Sequence, residues 1–157
     1  PTNVGVALSA NTNALLNGIY SPSFLVPIQD TGNAYVKQMK VIADAAKPPW
    51  NFYTYCGSNT AYGLAQAIKA AGPNLTRKGL ITALQTKASS FRSAAVVPMV
   101  VSAKSHQGLT GYYMGQYDGS GQLVRKTSYI MTANSASSGQ ARKASYRPGA
   151  PTPKLLP

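Results

Sequence analysis

The sequence predicts a mixed α/β fold, because helical patterns in the middle of the chain are followed by segments typical of β-strands. Two proline-containing boundaries, Pro48-Pro49 and Gly72-Pro73, end helical patterns. Asp118–Gly121 has the composition of a tight turn and joins two strand-like segments. We therefore expect helices first and an antiparallel hairpin after them.

The composition is that of one domain with a modest core. The chain has 157 residues, of which 44% are hydrophobic and 11% charged, so it differs from a typical disordered segment. No run approaches the roughly 20 apolar residues that a membrane-spanning helix requires. Because the sequence begins with Pro1 and shows no signal peptide, we expect it to be a trimmed or partial product.

The charge balance is strongly basic. Fifteen Lys and Arg residues face three acids, Asp30, Asp44 and Asp118, which gives a net charge of +12. Such a surface attracts acidic lipids, nucleic acid, other polyanions or an acidic protein. Alternatively, the chain comes from a basic proteome or from a longer protein whose acids lie elsewhere. The scatter of the basic residues favours this second interpretation.

The first third of the chain predicts an extended segment and then a helix. Asn17–Pro22 is interpreted as a turn into a strand that proline ends, and Phe24–Pro27 continues extended. Asp30-Thr31 is expected to cap the following helix, which Pro48-Pro49 ends. Its apolar face at helical spacing comprises Tyr35, Val36, Met39, Val41, Ile42 and Ala46.

The middle of the chain predicts a second helix after a short aromatic segment, Trp50–Cys56. Ser58 is expected to cap a helix over 59–71, and Gly72-Pro73 to end it. The expected buried stripe consists of Leu64, Ala67, Ile68 and Ala71.

A third helix is expected to begin at Thr76, with an apolar side formed by Leu80, Ile81 and Leu84. Three β-strands are then predicted: 94–102, Leu109–Tyr117 and Gln122–Met131. These elements form one α/β domain over 1–132. Residues 133–157 form a basic Ser/Ala/Pro-rich tail, expected to be flexible or wrapped on a partner.

The sequence predicts a protein that is not an enzyme, with no catalytic residue, no metal site and no cofactor. His106 and Cys56 are the single residues of their types, and the three acids form no obvious carboxylate pair. No nucleophile elbow or phosphate-binding glycine loop is present. A Cys56–His106 nucleophile and base pair lacks any supporting motif, and we expect Cys56 to be a buried, inert thiol.

Four pieces of the chain resemble motifs of one family in the same order. Asn17–Tyr20 is similar to a Glu-Gly-Val-Tyr strand, 58–72 to a helix, and Gly72–Arg77 to a Gly-Pro-x-Leu-Thr-Arg cap. Ser105–Gly108 with the hairpin of Tyr112–Val124 is similar to the closing strands. The family is that of the type I periplasmic substrate-binding proteins, the branched-chain amino-acid receptors of ABC importers. The resemblance covers about 14–131.

The resemblance implies a partial type I binding-protein fold: the C-terminal part of lobe two and the strands that return to lobe one. It implies an extracytoplasmic component of an ABC importer, periplasmic or extracellular, that holds a small polar solute between two lobes. That solute is an amino acid, an amide or an organic acid. The implied partners are the transporter permease or a missing N-terminal lobe. Apolar surface meant for that lobe predicts a protein partner or self-association.

The resemblance also implies five ligand-binding residues. Asn17 stands where family members that bind amino acids have a Glu for the ligand ammonium, so a zwitterionic amino acid is disfavoured. Ser58 stands where many members have a cleft-facing Tyr, and Tyr20, Tyr55 and Asn59 are neighbours that face the cleft. Three of them also have a structural alternative: Ser58 as a helix cap, Tyr20 as a core residue of a strand, and Tyr55 as a packed residue.

Two other functions stay open. The first is a structural or interaction subunit without a transport role, which uses a binding-protein-like lobe and anchors through its basic tail. The second is binding of nucleic acid or another polyanion, which rests on the sequence pI of about 10.0. It ranks last because no RNA-binding sheet motif, zinc finger or helix-turn-helix signature is present.

Overall fold

The computed structural model describes residues 15–131, 142–145, 149 and 151. These residues form a mixture of helices and antiparallel strands, in agreement with the general α/β class that the sequence predicts. The helices are α1 (Ala34–Ala46), α2 (Phe52–Ala71) and α3 (Arg77–Lys87), the last followed by a 3-10 turn, Ala88–Ser90. The strands are β1 (Tyr20–Ser23), β2 (Gly111–Tyr117), β3 (Leu123–Arg125), β4 (Tyr129–Met131) and β5 (Arg142–Ala144).

Strand β2 is the central strand and pairs antiparallel with β1, β3 and β4. The predicted strand 122–131 is divided into β3 and β4. The division falls where the backbone N–H groups of Lys126 and Thr127 both donate to the Met114 carbonyl, at 2.9 and 3.2 Å. Two residues thus face one, as in a β-bulge. Strand β5 pairs with β4 and belongs to the predicted tail, most of which lies outside the described residues.

Helix α1 agrees with the prediction, but its predicted cap is wrong. Asn33 is the N-cap, because its Oδ1 accepts hydrogen bonds from the backbone N–H groups of Tyr35 (2.9 Å) and Val36 (3.3 Å). Asp30-Thr31 lies in the turn before it. The helix ends at Ala46, before Pro48-Pro49, as predicted. On its predicted apolar face, Val41 is exposed.

Helix α2 begins at Phe52, seven residues before the predicted start, so Ser58 is not its cap. Asn51 caps the helix instead, because its side chain accepts from the Thr54 N–H at 3.0 Å. The buried face consists of Tyr55, Tyr62, Gln66 and Ala67, and only Ala67 belongs to the predicted stripe. Leu64 and Ile68, which were predicted to be buried, are therefore exposed.

The connection between α2 and α3 confirms two local predictions. The Thr76 hydroxyl accepts from the Gly79 N–H at 3.0 Å and caps the helix. Gly72, with φ of 85°, ends α2 in a conformation that favours glycine. Packing against the core uses Leu80 and Leu84 beside the buried Ala83, whereas Ile81 is exposed.

The predicted strand 94–102 is wrong. The segment makes one bridge, Leu25 to Ala95, with hydrogen bonds from Val26 to Ala94 and from Val96 to Phe24. Pro98 follows and has no N–H to donate to a ladder, which explains why the pairing stops.

Among the described residues the hydrophobic core forms two clusters. The large cluster is built around four tyrosines and comprises Leu25, Val26, Tyr35, Val36, Met39, Tyr55, Tyr62, Ala94, Val96 and Tyr113. The small cluster comprises Ala67, Ala88 and Phe91, with Leu80, Leu84, Met99 and Val101 packed against it. Helix α2 contributes to both clusters, so it links the two parts of the described core.

Candidate functional site

An open groove lies where four separate segments of the chain meet, and it is the candidate site. It combines the loop before α1, one side chain of α1, the start of α2 and the hairpin turn between β2 and β3. Its volume is ≈ 390 Å³, within the range of about 300 to 1,000 Å³ typical of small-molecule sites. The lining residues are Ile28, Gln29, Thr31, Lys40, Trp50, Asn51, Phe52, Ser120, Gly121 and Gln122.

The aromatic wall of the groove follows from the start of α2. Asn51 caps the helix, and the residues on either side of it, Trp50 and Phe52, both line the groove. The Trp50 ring packs edge-to-face on Tyr55, with centroids 5.5 Å apart and planes at 61°. Because Tyr55 is buried in the large cluster, the indole is held against a fixed support.

The opposite edge of the groove is a turn that one carboxylate organises. Asp118 Oδ1 accepts from the backbone N–H groups of Ser120 (2.9 Å) and Gln122 (3.0 Å) and from the Ser120 hydroxyl (2.7 Å). These hydrogen bonds, chiefly that of the Ser120 side chain, lower the pKa of Asp118. The turn is therefore ordered by its own side chain, and the Gln122 side chain is presented at the groove.

The polar lining is mostly uncharged. Gln29, Thr31 and Gln122 are exposed, and their side chains hydrogen-bond to no other described residue. The Lys40 ammonium is already engaged, at 2.8 and 2.7 Å from the two carboxylate oxygens of Asp44. A ligand in this groove meets an aromatic wall, amide and hydroxyl groups, and a cation that a neighbouring acid largely neutralises.

The structure places two of the predicted site residues on the sheet side of the molecule. Asn17 is exposed in the turn before β1. Tyr20 is 60% exposed on β1, where it pairs with Gln116 of β2. Neither residue lines the groove.

The other three predicted site residues lie on α2. Tyr55 is 0% exposed, and its hydroxyl has no hydrogen-bond partner among the described residues. Burial raises the pKa of Tyr55 far above its ordinary range. Asn59 Oδ1 accepts from the Tyr35 hydroxyl (3.2 Å) and the Ala94 N–H (2.6 Å). Ser58 is half-buried in the middle of the helix.

The structure thus brings Tyr55 and Asn59 together on one helix face but not with Asn17 and Tyr20. None of the five predicted residues lines the groove, and their role in ligand binding stays a prediction. The groove residues themselves were not predicted as a site. One available signal was the sole tryptophan, Trp50, which follows Pro48-Pro49 and precedes a residue that caps helices well.

The two reactive residue types occupy ordinary positions. Burial raises the pKa of the Cys56 thiol, which is half-buried beside the large cluster. His106 is exposed in the loop before β2. Across the described ranges, no three His, Cys, Asp or Glu side chains are grouped as a metal ion would need.

No family model, curated protein or solved structure matches this chain. A membrane-spanning helix is likewise not found in the part of the chain that the structure describes.

Proposed function

We propose that this chain is part of an extracytoplasmic solute-binding protein and that the groove binds a small polar solute. The observation that carries the proposal is the groove itself: a volume of ≈ 390 Å³ with an aromatic wall and side-chain amides that have no partner among the described residues. Small-molecule sites typically combine apolar walls with a few convergent polar groups.

The proposed fold is the C-terminal part of a type I periplasmic binding protein. The order of α2, the Gly72-Pro73 stop, the Thr76-capped α3 and the β2–β3 hairpin supports it, because the resembling motifs occur in that order. In such a protein a second lobe closes over the solute by hinge motion, and the partner is the permease of an ABC importer. The proposed location is the periplasm or the cell exterior.

The groove favours a solute with an amide group over a carboxylate or a zwitterion. The Gln29 and Gln122 side chains each offer a donor and an acceptor, which is the pattern that a primary amide complements. A carboxylate has to displace Asp44 from Lys40 before it gains a cation. No acidic side chain is among the described residues that line the groove, so the ammonium of a zwitterionic amino acid has no acidic partner there.

Trp50 supplies the test, because it is the sole tryptophan and lines the groove. We expect its fluorescence to change saturably when propionamide is titrated into the full chain, and less with succinate or L-leucine. Gln29→Ala and Gln122→Ala should each weaken the amide response by roughly tenfold, the value of one hydrogen bond.

Gln107→Ala is the matched control, because Gln107 is an exposed glutamine that does not line the groove. It should leave the titration unchanged. An absence of any saturable response, or an equal loss in the Gln107→Ala protein, would contradict the proposal. A response to succinate alone would retain the site but overturn the amide preference.

A further inference from the structure

The outward face of α2 is uncharged and mostly apolar. Tyr53 (50% exposed), Leu64 (52%) and Ile68 (41%) lie with Gly57 and Thr60 on the side of the helix opposite Tyr55 and Tyr62, and we call Tyr53, Gly57, Leu64 and Ile68 the apolar stripe. The one charged residue of this 20-residue helix is Lys69, near its end. A solvent-facing helix side normally carries charged residues, so a face of this kind indicates a surface that meets something other than water.

Positive charge without acidic neighbours lies at the end of this stripe. Between Asp44 and Asp118 the sequence contains no acid. Lys69, Arg77 and Lys78 are all exposed and lie around the α2–α3 connection, and we call them the basic rim. Leu75, 51% exposed, lies within the same connection. The rim therefore adds a positive potential beside the exposed aliphatic side chains.

We propose that the apolar stripe and the basic rim together bind the surface of an anionic lipid bilayer. Aliphatic side chains enter the boundary between headgroups and acyl chains, while Lys and Arg contact lipid phosphates. Tyrosine is enriched at that same depth, which suits Tyr53. Nucleic acid offers the phosphates but no apolar layer for Leu64 and Ile68. The inference uses residues outside the groove and stands independently of the proposed function.

The test is flotation of the full chain with phosphatidylcholine vesicles, with and without roughly 30% phosphatidylglycerol. Binding should require the anionic lipid and fall as salt is raised. Lys69→Gln/Arg77→Gln/Lys78→Gln should lower the partition coefficient by roughly 100-fold, at about fivefold for each basic residue near the surface. Leu64→Ser/Ile68→Ser should lower it by roughly tenfold, through the lost apolar burial.

A variant with the same change in net charge separates a defined surface from diffuse attraction. Lys37→Gln/Lys47→Gln/Lys126→Gln removes the same number of exposed cations elsewhere and should retain most of the binding. An equal loss in this control overturns the proposal, as does unchanged binding of the serine variant. Equal affinity for neutral vesicles overturns it as well. Circular dichroism of each variant shows whether the helices remain.

Discussion

The two halves of α2 pack in different ways, and the side chains that they carry explain the difference. The N-terminal half, residues 52–62, inserts Tyr55 and Tyr62 into the large cluster and carries the groove wall at its start. The C-terminal half contributes only Ala67 to the small cluster, where α3 packs against it. The first half is therefore anchored by aromatic volume and by polar contacts. The second relies on close approach of small residues and on the buried Gln66, whose side-chain amide hydrogen-bonds to the Arg92 backbone. Its outer side carries the exposed Leu64 and Ile68.

The largest expected effect is at the N-terminal half. Tyr55→Ala should lower the free energy of unfolding by about 3 to 5 kcal/mol, because a fully buried aromatic ring leaves a cavity. Leu84→Ala, at the half-buried edge of the small cluster, should cost about 2 kcal/mol. Urea denaturation measures both. Equal costs would mean that the large cluster does not stabilise the fold more than the small cluster does.

Alkaline pH should also weaken the large, tyrosine-rich cluster. Burial is the main cause that raises the pKa of Tyr113 from 10.0 to about 12, while a hydrogen bond with Ser23 opposes it. Because the raised pKa belongs to the folded state, the contribution is fully present below pH 10 and is lost as the pH rises toward 12. The stability lost across that window should be about 2 to 3 kcal/mol.

Tyr113→Phe is the control for this pH dependence, because it keeps the ring and removes the titrating hydroxyl. Its stability should fall less steeply at high pH than that of the original protein. Tyr55, whose pKa burial also raises, contributes in the same direction, so Tyr55→Phe/Tyr113→Phe should flatten the curve further. Identical curves for the original and double-variant proteins would be the contrary result.

The next effect separates two neighbours that the family resemblance placed in the ligand site. Asn59→Ala should cost about 2 kcal/mol, because it removes the acceptor for the Tyr35 hydroxyl and the Ala94 N–H. Ser58→Ala should change stability by less than about 0.5 kcal/mol, because Ser58 does not cap the helix. Thermal unfolding of the two variants side by side is sufficient. A costly Ser58→Ala would reinstate a structural role for that residue, such as capping.

A small stabilising effect is expected at a glycine on the outward side of α2. Gly57→Ala should stabilise the protein by about 0.5 to 1 kcal/mol, because nothing lies within 4 Å of the added Cβ and alanine favours a helix interior. Gly111→Ala should instead destabilise it by about 1 to 3 kcal/mol, because the added Cβ clashes with Val97. If Gly57→Ala destabilises the protein, then α2 does not continue through this residue.

Features encoded by a few adjacent residues could be predicted from the sequence. The Thr76 cap, the Gly72 stop and the Asp118–Gly121 turn each depend on a backbone preference or a short side-chain contact. Each of these predictions is confirmed by the hydrogen bonds and dihedral angles at its residues.

Features decided by packing between distant segments could not be predicted in the same way. Asn51 and Ser58 are both good caps, and only the burial of Tyr55 and Tyr62 selects the earlier one. The groove depends on Gln29, Trp50 and Gln122 meeting across three segments, which no local pattern records. This explains why the residues selected by family resemblance and the residues of the groove form separate sets.

The central claim is that the groove binds the solute, and a chemical-shift titration of the ¹⁵N-labelled chain with propionamide tests it most directly. The account predicts saturable shifts confined to the Trp50 indole N–H, the Gln29 and Gln122 side-chain amides and their backbone neighbours. Shifts centred on Asn17 and Tyr20, or no saturable shift anywhere, would contradict it.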